Sequence, residues 1–425
     1  MAIDAATAHD AVAAAWRLES ARIIAGLARL VRDVGLAEEL AQDALVAALE
    51  QWPAEGIPAN PGAWLALTAR HRAIDRIRRD ERLAGKLALI GRELQATEHA
   101  APSEFDAVED QERIDDDLLR LMFVACHPAL SVEARIALTL RLLGGLTTEE
   151  IARGFLAAEP TIAKRIVRAK RTLADKQVPF EVPSAADRPA RLASVLEVLY
   201  LVFNEGYSAM AGDDLTRPAL CHEALRLGRV LSGLMPAEPE VHGLVALMEI
   251  QASRIAARIG PDGLPVSLTD QNRGRWDQLL IRRGFTALLR AQRLGAPPSP
   301  YVLQAAIAAC HARARTVEET DWPQIVMLYQ ALATLTSSPV VELNRAVAVA
   351  MADSPEQGLL ITDRLASEPA MAGYHHLPSV RGDLLARLGR RAEAASEFRR
   401  AASLTQNIPE RTLLLRRAAE CDTRA

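Results

Sequence analysis

Apolar positions recur at helical spacing along most of this chain. From 62 to 82, Ala66, Leu67, Ala69, Ala73, Ile74 and Ile77 fall on one arc of a helical wheel. Arg72, Arg76 and Arg79 gather on the other side, with His71, Arg78 and Arg82 near them. Arg70 falls inside the apolar arc, so it is expected half-buried and paired, with Glu39 or Asp43 as partner. Further along, Ile162, Ile166, Ala169 and Leu173 follow i, i+4, i+7, i+11, and the opposite face carries Thr161, Lys164, Arg165, Arg168 and Arg171. Helix is also predicted over 11–52, broken at Asp33-Val34-Gly35, over 117–125 and over 132–143. From Arg191 to the end the pattern is helical throughout, broken by Pro and Gly at 260–265, 295–300 and 336–339. The fold class is all-α.

Local signals place the joints. Residues 53–62, PAEGIPANPG, read as a loop. Thr147 and Glu150 have capping-box spacing, in which each side chain satisfies an orphan amide of the first turn. A short turn at 156–159 leads to Pro160, placed where a first helical residue tolerates a missing N–H. A capped helix, a short turn and a basic second helix make a helix-turn-helix, whose second helix enters the DNA major groove. Near the C-terminus, Gly382, Ala394, Phe398 and Ala401 have the small/small/aromatic/small spacing of a tetratricopeptide (TPR) hairpin, with its closing proline displaced to Pro409. Ala346 and Gly358 repeat that spacing weakly one unit earlier.

Composition agrees. Half the residues are apolar, mostly Ala and Leu, and only 4% are aromatic, which favours small-faced helices over strands. The net charge is −4, yet residues 60–82 hold six arginines. Between Glu104 and Asp117 there are eight acids and one cation, so 83–113 reads as an acidic linker. A second boundary, 177–190, carries Pro179, Pro183 and Pro189 and is stiff. Trp64, at the start of its helix, is expected to fill core.

Other chemistry is sparse. Cys126, Cys221, Cys310 and Cys421 are far apart and form no CxxC pair, so a reducing compartment fits. Three of them precede a histidine, but neighbours on a helix point about 100° apart and do not chelate together. No metal or cofactor is expected. Neither a signal peptide nor an 18-residue apolar span is present, so a soluble cytoplasmic protein with no membrane partner is expected. No phosphate-binding loop, HExxH or GxSxG occurs, which argues against an enzyme. The polar stretch TDQNRGRWD, 269–277, reads as a loop with satisfied caps rather than a pocket lining.

With those residues in place, a family resemblance emerges. Gly35-Leu-Ala-Glu-Glu-Leu-Ala-Gln-Asp-Ala44 resembles a helix of bacterial sigma factors, and Trp64-Leu65, Ala69-Arg70 and 73–79 look like the helix that follows it. Residues 147–171 resemble the domain-four helix-turn-helix. Two sigma domains with no third between them resemble the extracytoplasmic-function (ECF) layout, here in a subgroup with a long TPR-like extension. The implied domains are sigma domain 2 at 10–82, the acidic linker at 83–113, sigma domain 4 at 114–178 and the helical extension at 190–425. The resemblance implies that Glu38, Glu39, Gln42 and Asp43 dock on core RNA polymerase, with Gln42 and Asp43 exposed. It implies that the 53–62 loop with Asn60, Arg72, Arg76, Arg78 and Arg79 holds the minus-ten promoter DNA as a single strand. Thr161, Lys164, Arg165, Arg168 and Arg171 would read the minus-thirty-five element. The extension would act on its own sigma domains or recruit a separate protein partner. The competing expectation is a helix-turn-helix regulator with a TPR-like sensor, acting without polymerase.

Overall fold

The computed structural model describes residues 5–91 and 111–423. The chain divides into two compact units, Met1–Val198 and Leu199–Ala425.

Among the described residues the first unit is built of helices: α1 (Ala5–Val31), α2 (Val34–Glu55), α3 (Pro61–Gly91), α4 (Gln111–Ala125), α5 (Val132–Leu142), α6 (Thr148–Gly154), α7 (Glu159–Asp175) and the first half of α8 (Arg188–Tyr207). The expected break before α2 is made by Asp33, whose extended backbone ends α1 and whose carboxylate caps Leu36 N at 2.9 Å. Alanines at 25, 28, 37, 41, 44, 48, 69 and 73 are fully or almost fully buried and let α1, α2 and α3 approach closely. Trp64 packs edge-on against buried Trp52, with ring centroids 5.6 Å apart, as expected of a core residue.

Four expectations need correction. The buried stripe of α3 is Leu65, Ala69 and Ala73, while Ala66 and Leu67 face solvent. The wheel gives an angle but not where neighbouring helices cover it. The loop is shorter than predicted, because Pro53 completes the last turn of α2. Helix α3 also runs past Arg82 to Gly91, so the start of the expected linker is helical; residues 92–110, with much of the acidic stretch, lie outside the described residues. Asp117 is buried rather than part of a solvated acidic run, with carboxylate oxygens 2.7 Å from Arg29 Nε and 2.6 Å from Arg120 Nη1.

The 177–190 segment does not end the first unit. Beyond it, Arg191 Nη2 donates to Phe123 O at 2.7 Å, Ser194 Oγ donates to Cys126 O at 2.6 Å, and Arg135 Nη1 reaches Glu197 at 3.0 Å. Leu192, Val195, Leu196 and Val198 are buried.

The second unit continues from α8 through α9 (Pro218–Leu234), α10 (Pro239–Ala252), α11 (Gln278–Arg293), α12 (Pro300–Arg313), α13 (Trp322–Thr336), α14 (Pro339–Ala352), α15 (Pro355–Leu365), α16 (His376–Arg387), α17 (Arg391–Leu404) and α18 (Ile408–Thr423). Successive helices pack as hairpins. A Cβ on Gly382 would lie 2.8 Å from the Phe398 ring, so only glycine admits that fully buried ring. A Cβ on Gly358 would lie 2.7 Å from the Ala350 Cβ, the same device one hairpin earlier.

Two short strands join the beginning and end of this array. β1 (Ala211–Gly212) pairs in parallel with β2 (Gln406–Asn407). Asn407 is fully buried, and its Nδ2 donates to Ala209 O at 3.0 Å and Asp214 O at 3.1 Å.

Three arginines and two rings order the excursion between α10 and α11. Arg258 lies 3.7 Å from the Tyr207 ring centroid, Arg254 lies 5.8 Å from both Tyr207 and Trp276, and Arg273 lies 5.0 Å from Trp276. Their donors also meet helix ends: Arg258 donates to Tyr207 O at 2.5 Å, and Arg273 donates to His311 O at 2.6 Å and Ala314 O at 2.7 Å. Negative carbonyl ends and aromatic faces thus balance these cations. Within 269–277, Asn272 caps Gly274 N and Asp277 caps Leu279 N and Leu280 N, as a capped loop requires.

Candidate nucleic-acid interface

The helix-turn-helix is built from short-range signals. Thr147 Oγ1 accepts from Glu150 N at 3.1 Å, and Glu150 Oε2 accepts from Thr147 N at 2.8 Å, completing the capping box of α6. Leu156, in the turn, has φ of +47°, the left-handed geometry that redirects the chain into α7. Ile162, Ile166, Ala169 and Leu173 are buried, which fixes the roll of α7 and turns its basic face outward.

On that face Thr161, Lys164, Arg168 and Arg171 are exposed. Arg165 is half-buried in a cleft of about 440 Å³ that it shares with Ser131, Glu133 and Arg168. Hydrogen bonds from its own backbone and from Ser131 hold the Glu133 carboxyl below its usual range, and nearby Arg165 and Arg135 act the same way. Arg171 lies 3.6 Å from Asp175, whereas no salt bridge ties Lys164, Arg165 or Arg168 among the described residues. Val167 is 62% exposed on the same outward side, about 40° from Arg171 on the wheel. In the sequence it belongs to neither arc; its signal is an apolar residue interrupting a basic face.

The α2 residues separate into two groups. Glu39 and Asp43 are exposed and continue through Val46 and Glu50 as one ridge at i, i+4, i+7, i+11. Glu38 is only 2% exposed and faces the other way. Its carboxylate accepts from Arg141 Nε at 2.6 Å, pairs with Lys170, and accepts from Gln42 Nε2 at 2.5 Å. Gln42 is therefore half-buried rather than exposed.

On α3, Arg76, Arg78 and Arg79 are exposed. Asn60 is exposed too, and caps Ala63 N at 3.0 Å. Arg72 departs from the expected open arginine face: it is half-buried, 3.7 Å from Asp43. Arg72 thus forms an ion pair with Asp43, and Arg70 is half-buried as expected.

The Cys-His dipeptides have a structural setting. Burial pushes the Cys126 thiol up to about 11 and Cys221 up to about 12. Burial, with Arg191 and Lys176 nearby, holds His127 down to about 4, and its Nδ1 accepts from Ala129 N at 3.0 Å. Among the described residues no helix is long and apolar enough to cross a membrane.

Comparison with known proteins follows the same division. The Sigma-70 region 2 family matches residues 4–83, and the Sigma-70 region 4 family matches 120–173. The ECF RNA polymerase sigma factor SigK of Mycobacterium sp. (strain KMS) is 30% identical over 161 residues, covering 37% of this chain and 78% of that protein. The chain belongs to the ECF sigma-factor family. Its role is therefore that of a sigma factor in transcription initiation. The ECF factor is also 27% identical over 184 residues to the probable ECF sigma factor SigI of Mycobacterium tuberculosis (strain CDC 1551 / Oshkosh), covering 42% of this chain and 60% of that one. An uncharacterized protein of Rhizobium meliloti (strain 1021) is 45% identical over 384 residues, 90% of this chain and 89% of its own, so the likeness extends through the second unit. Residues 191–292 match a family of unknown function, DUF6596.

Proposed function

We propose that this ECF factor docks on core RNA polymerase through the exposed α2 ridge of Glu39 and Asp43. Arg76, Arg78 and Arg79 of α3, with Asn60, then hold the minus-ten strand, and α7 reads the minus-thirty-five element. The observation that carries this reading is the outward face of α7, where Lys164, Arg165 and Arg168 lack salt bridges among the described residues, behind a capped α6. Solvated helix faces normally mix signs; a cationic face without paired acids suits phosphates and guanine edges. Arginines on phosphate position the strand in a salt-dependent way and carry no sequence information themselves. Trp64, the one aromatic between 53 and 104, is half-buried against Trp52, so few rings are available to wedge a duplex open. Strand opening then depends more on the promoter sequence itself.

The extension acts in cis in this reading. Connectivity supports that: the extension continues from α8, the helix whose first half belongs to the first unit and is bonded there through Arg191, Ser194 and Glu197. The deciding experiment is a footprint on cognate promoter DNA with and without core polymerase. Protection that needs core polymerase is expected; equal protection by the free protein would point instead to a regulator that works without polymerase.

A further inference from the structure

We propose that the free protein is self-locked at Glu38: α5 and α7 hold α2 through this one carboxylate, and the lock must open before α2 docks on polymerase. The inference deepens the function proposed above and rests on its assignment of α2 to polymerase docking.

The geometry is specific. Glu38 is almost fully buried, and a buried carboxylate needs charged or hydrogen-bonding partners to remain ionised at low cost. Its partners are Arg141 from α5, at 2.6 Å, and Lys170 from α7. Both come from the region-4 part of the chain. Arg141 is itself oriented by donating to Leu146 O at 3.1 Å. The approach is close at the backbone as well, since a Cβ on Gly35 would lie 3.7 Å from the Lys170 Cβ. A second pair flanks the contact, with Arg17 Nη2 3.1 Å from Glu150 Oε1. Opposite Ser20, a Cβ on Gly145 would come within 2.9 Å of Oγ, so the α1 side is equally tight.

Helix α7 therefore has two faces with opposed duties. Its outward face carries the DNA-reading side chains, and its Lys170 edge clasps α2. While the clasp holds, α2 and α7 cannot move apart to reach separate promoter elements. Glu38 and Gln42 are also committed inward, so while the lock holds the exposed ridge of Glu39 and Asp43 offers polymerase only half of the expected docking set, and full docking needs the other half released. Polymerase binding then draws on the open fraction, and apparent affinity falls in proportion to that fraction.

A disulfide staple tests this. Two cysteines at a Cβ separation of about 3.5–4.5 Å can be bridged, and Gly35 and Lys170 meet that condition. Gly35→Cys/Lys170→Cys would be made in the full chain with Cys421→Ser, because the other three cysteines are buried. Oxidation should give the intramolecular crosslink. The crosslinked protein should bind core polymerase at least about tenfold more weakly than the same protein after reduction. The single variant Lys170→Glu, which sets a like charge against Glu38, should bind core polymerase more tightly than wild type. Crosslinked protein that binds as well as reduced protein would overturn the lock. So would thiols that react with maleimide yet never crosslink, or a folded Lys170→Glu with wild-type affinity. If the crosslink forms but wild type does not bind core polymerase, the docking assignment fails and the lock's role fails with it, while the contact itself stands.

Discussion

His311 and His127 show how surroundings set charge. Burial comes first for His311, and the Arg254 and Arg273 guanidiniums add to it, lowering the imidazole to about 4. Its ring lies edge-on to Trp322 at 5.1 Å. His127 is also held to about 4, chiefly by burial. An unfolded histidine titrates near 6.5, so between 6.5 and 4 the unfolded chain binds more protons than the folded one. The contribution of both residues is complete above about pH 6.5 and is lost as pH falls toward 4. Melting temperature should fall across that window, and His311→Gln should flatten the slope; an identical slope would refute the assignment. Phe398 gives a second expectation. Its ring fills the space left by Gly382, so Phe398→Ala should cost about 3–5 kcal/mol by urea titration. Gly382→Ala should cost about 1–3 kcal/mol through overpacking, and a neutral result would contradict the 2.8 Å approach. Phe398 was legible in the sequence because its partner lies 16 residues away at a fixed repeat spacing. The Glu38 cluster was not legible. Arg141 lies 103 residues from it, and no local pattern brings the two together.

At the scale of elements, α7 was the most readable part of the chain. A four-residue apolar stripe and a helix-starting proline agreed, behind the capping box of α6, so no tertiary contact had to override a local preference. Helix α3 was less readable, because only the Leu65–Ala69–Ala73 line is fully covered, Ile74 and Ile77 are half-buried, and Ala66 and Leu67 of the apolar arc are left in water. Nothing after Arg82 stopped it either, so it continues to Gly91. The outward face of α7 gives a two-part expectation. Arg165→Ala or Arg168→Ala should weaken promoter binding by about 1–3 kcal/mol where the side chain contacts a base edge, with core binding intact. Val167 is apolar and exposed where a thymine methyl could meet it. Replacing thymine by uracil in the minus-thirty-five element should weaken wild type and leave Val167→Ala indifferent. Equal losses in both proteins would remove Val167 from readout.

For the whole molecule, the position of the boundary matters. The stretch of prolines at 177–190 looks like a domain junction in the sequence, yet the first unit ends inside α8, at Val198. Prolines mark a change of direction; burial of Leu192, Val195 and Leu196 decides which body the chain belongs to. A chain ending at Lys176 would lose those side chains and the bonds from Arg191 and Ser194. It should melt well below a chain ending at Val198. The Val198 truncation is the informative one for cis control: transcription with purified core polymerase should differ from that of the full chain. Identical transcription would assign the extension to recruiting another protein.

The β1–β2 pair changes what kind of object the second unit is. An open row of hairpins is a one-dimensional stack that frays from its ends, each repeat stabilised only by its neighbours. Asn407 ties the end of the row to backbone 198 residues earlier, at Ala209, and its Oδ1 also caps Glu410 N at 3.1 Å. A row whose ends are clasped has no terminal repeat to peel away first. It should melt in one concerted step and fold slowly, since that clasp spans nearly the whole unit in sequence. Asn407→Ala leaves two carbonyls and a helix amide without their partner. Hydrogen exchange should then show α17 and α18 opening ahead of α10–α12, whereas uniform exchange in the variant would mean that the stack holds together without its clasp.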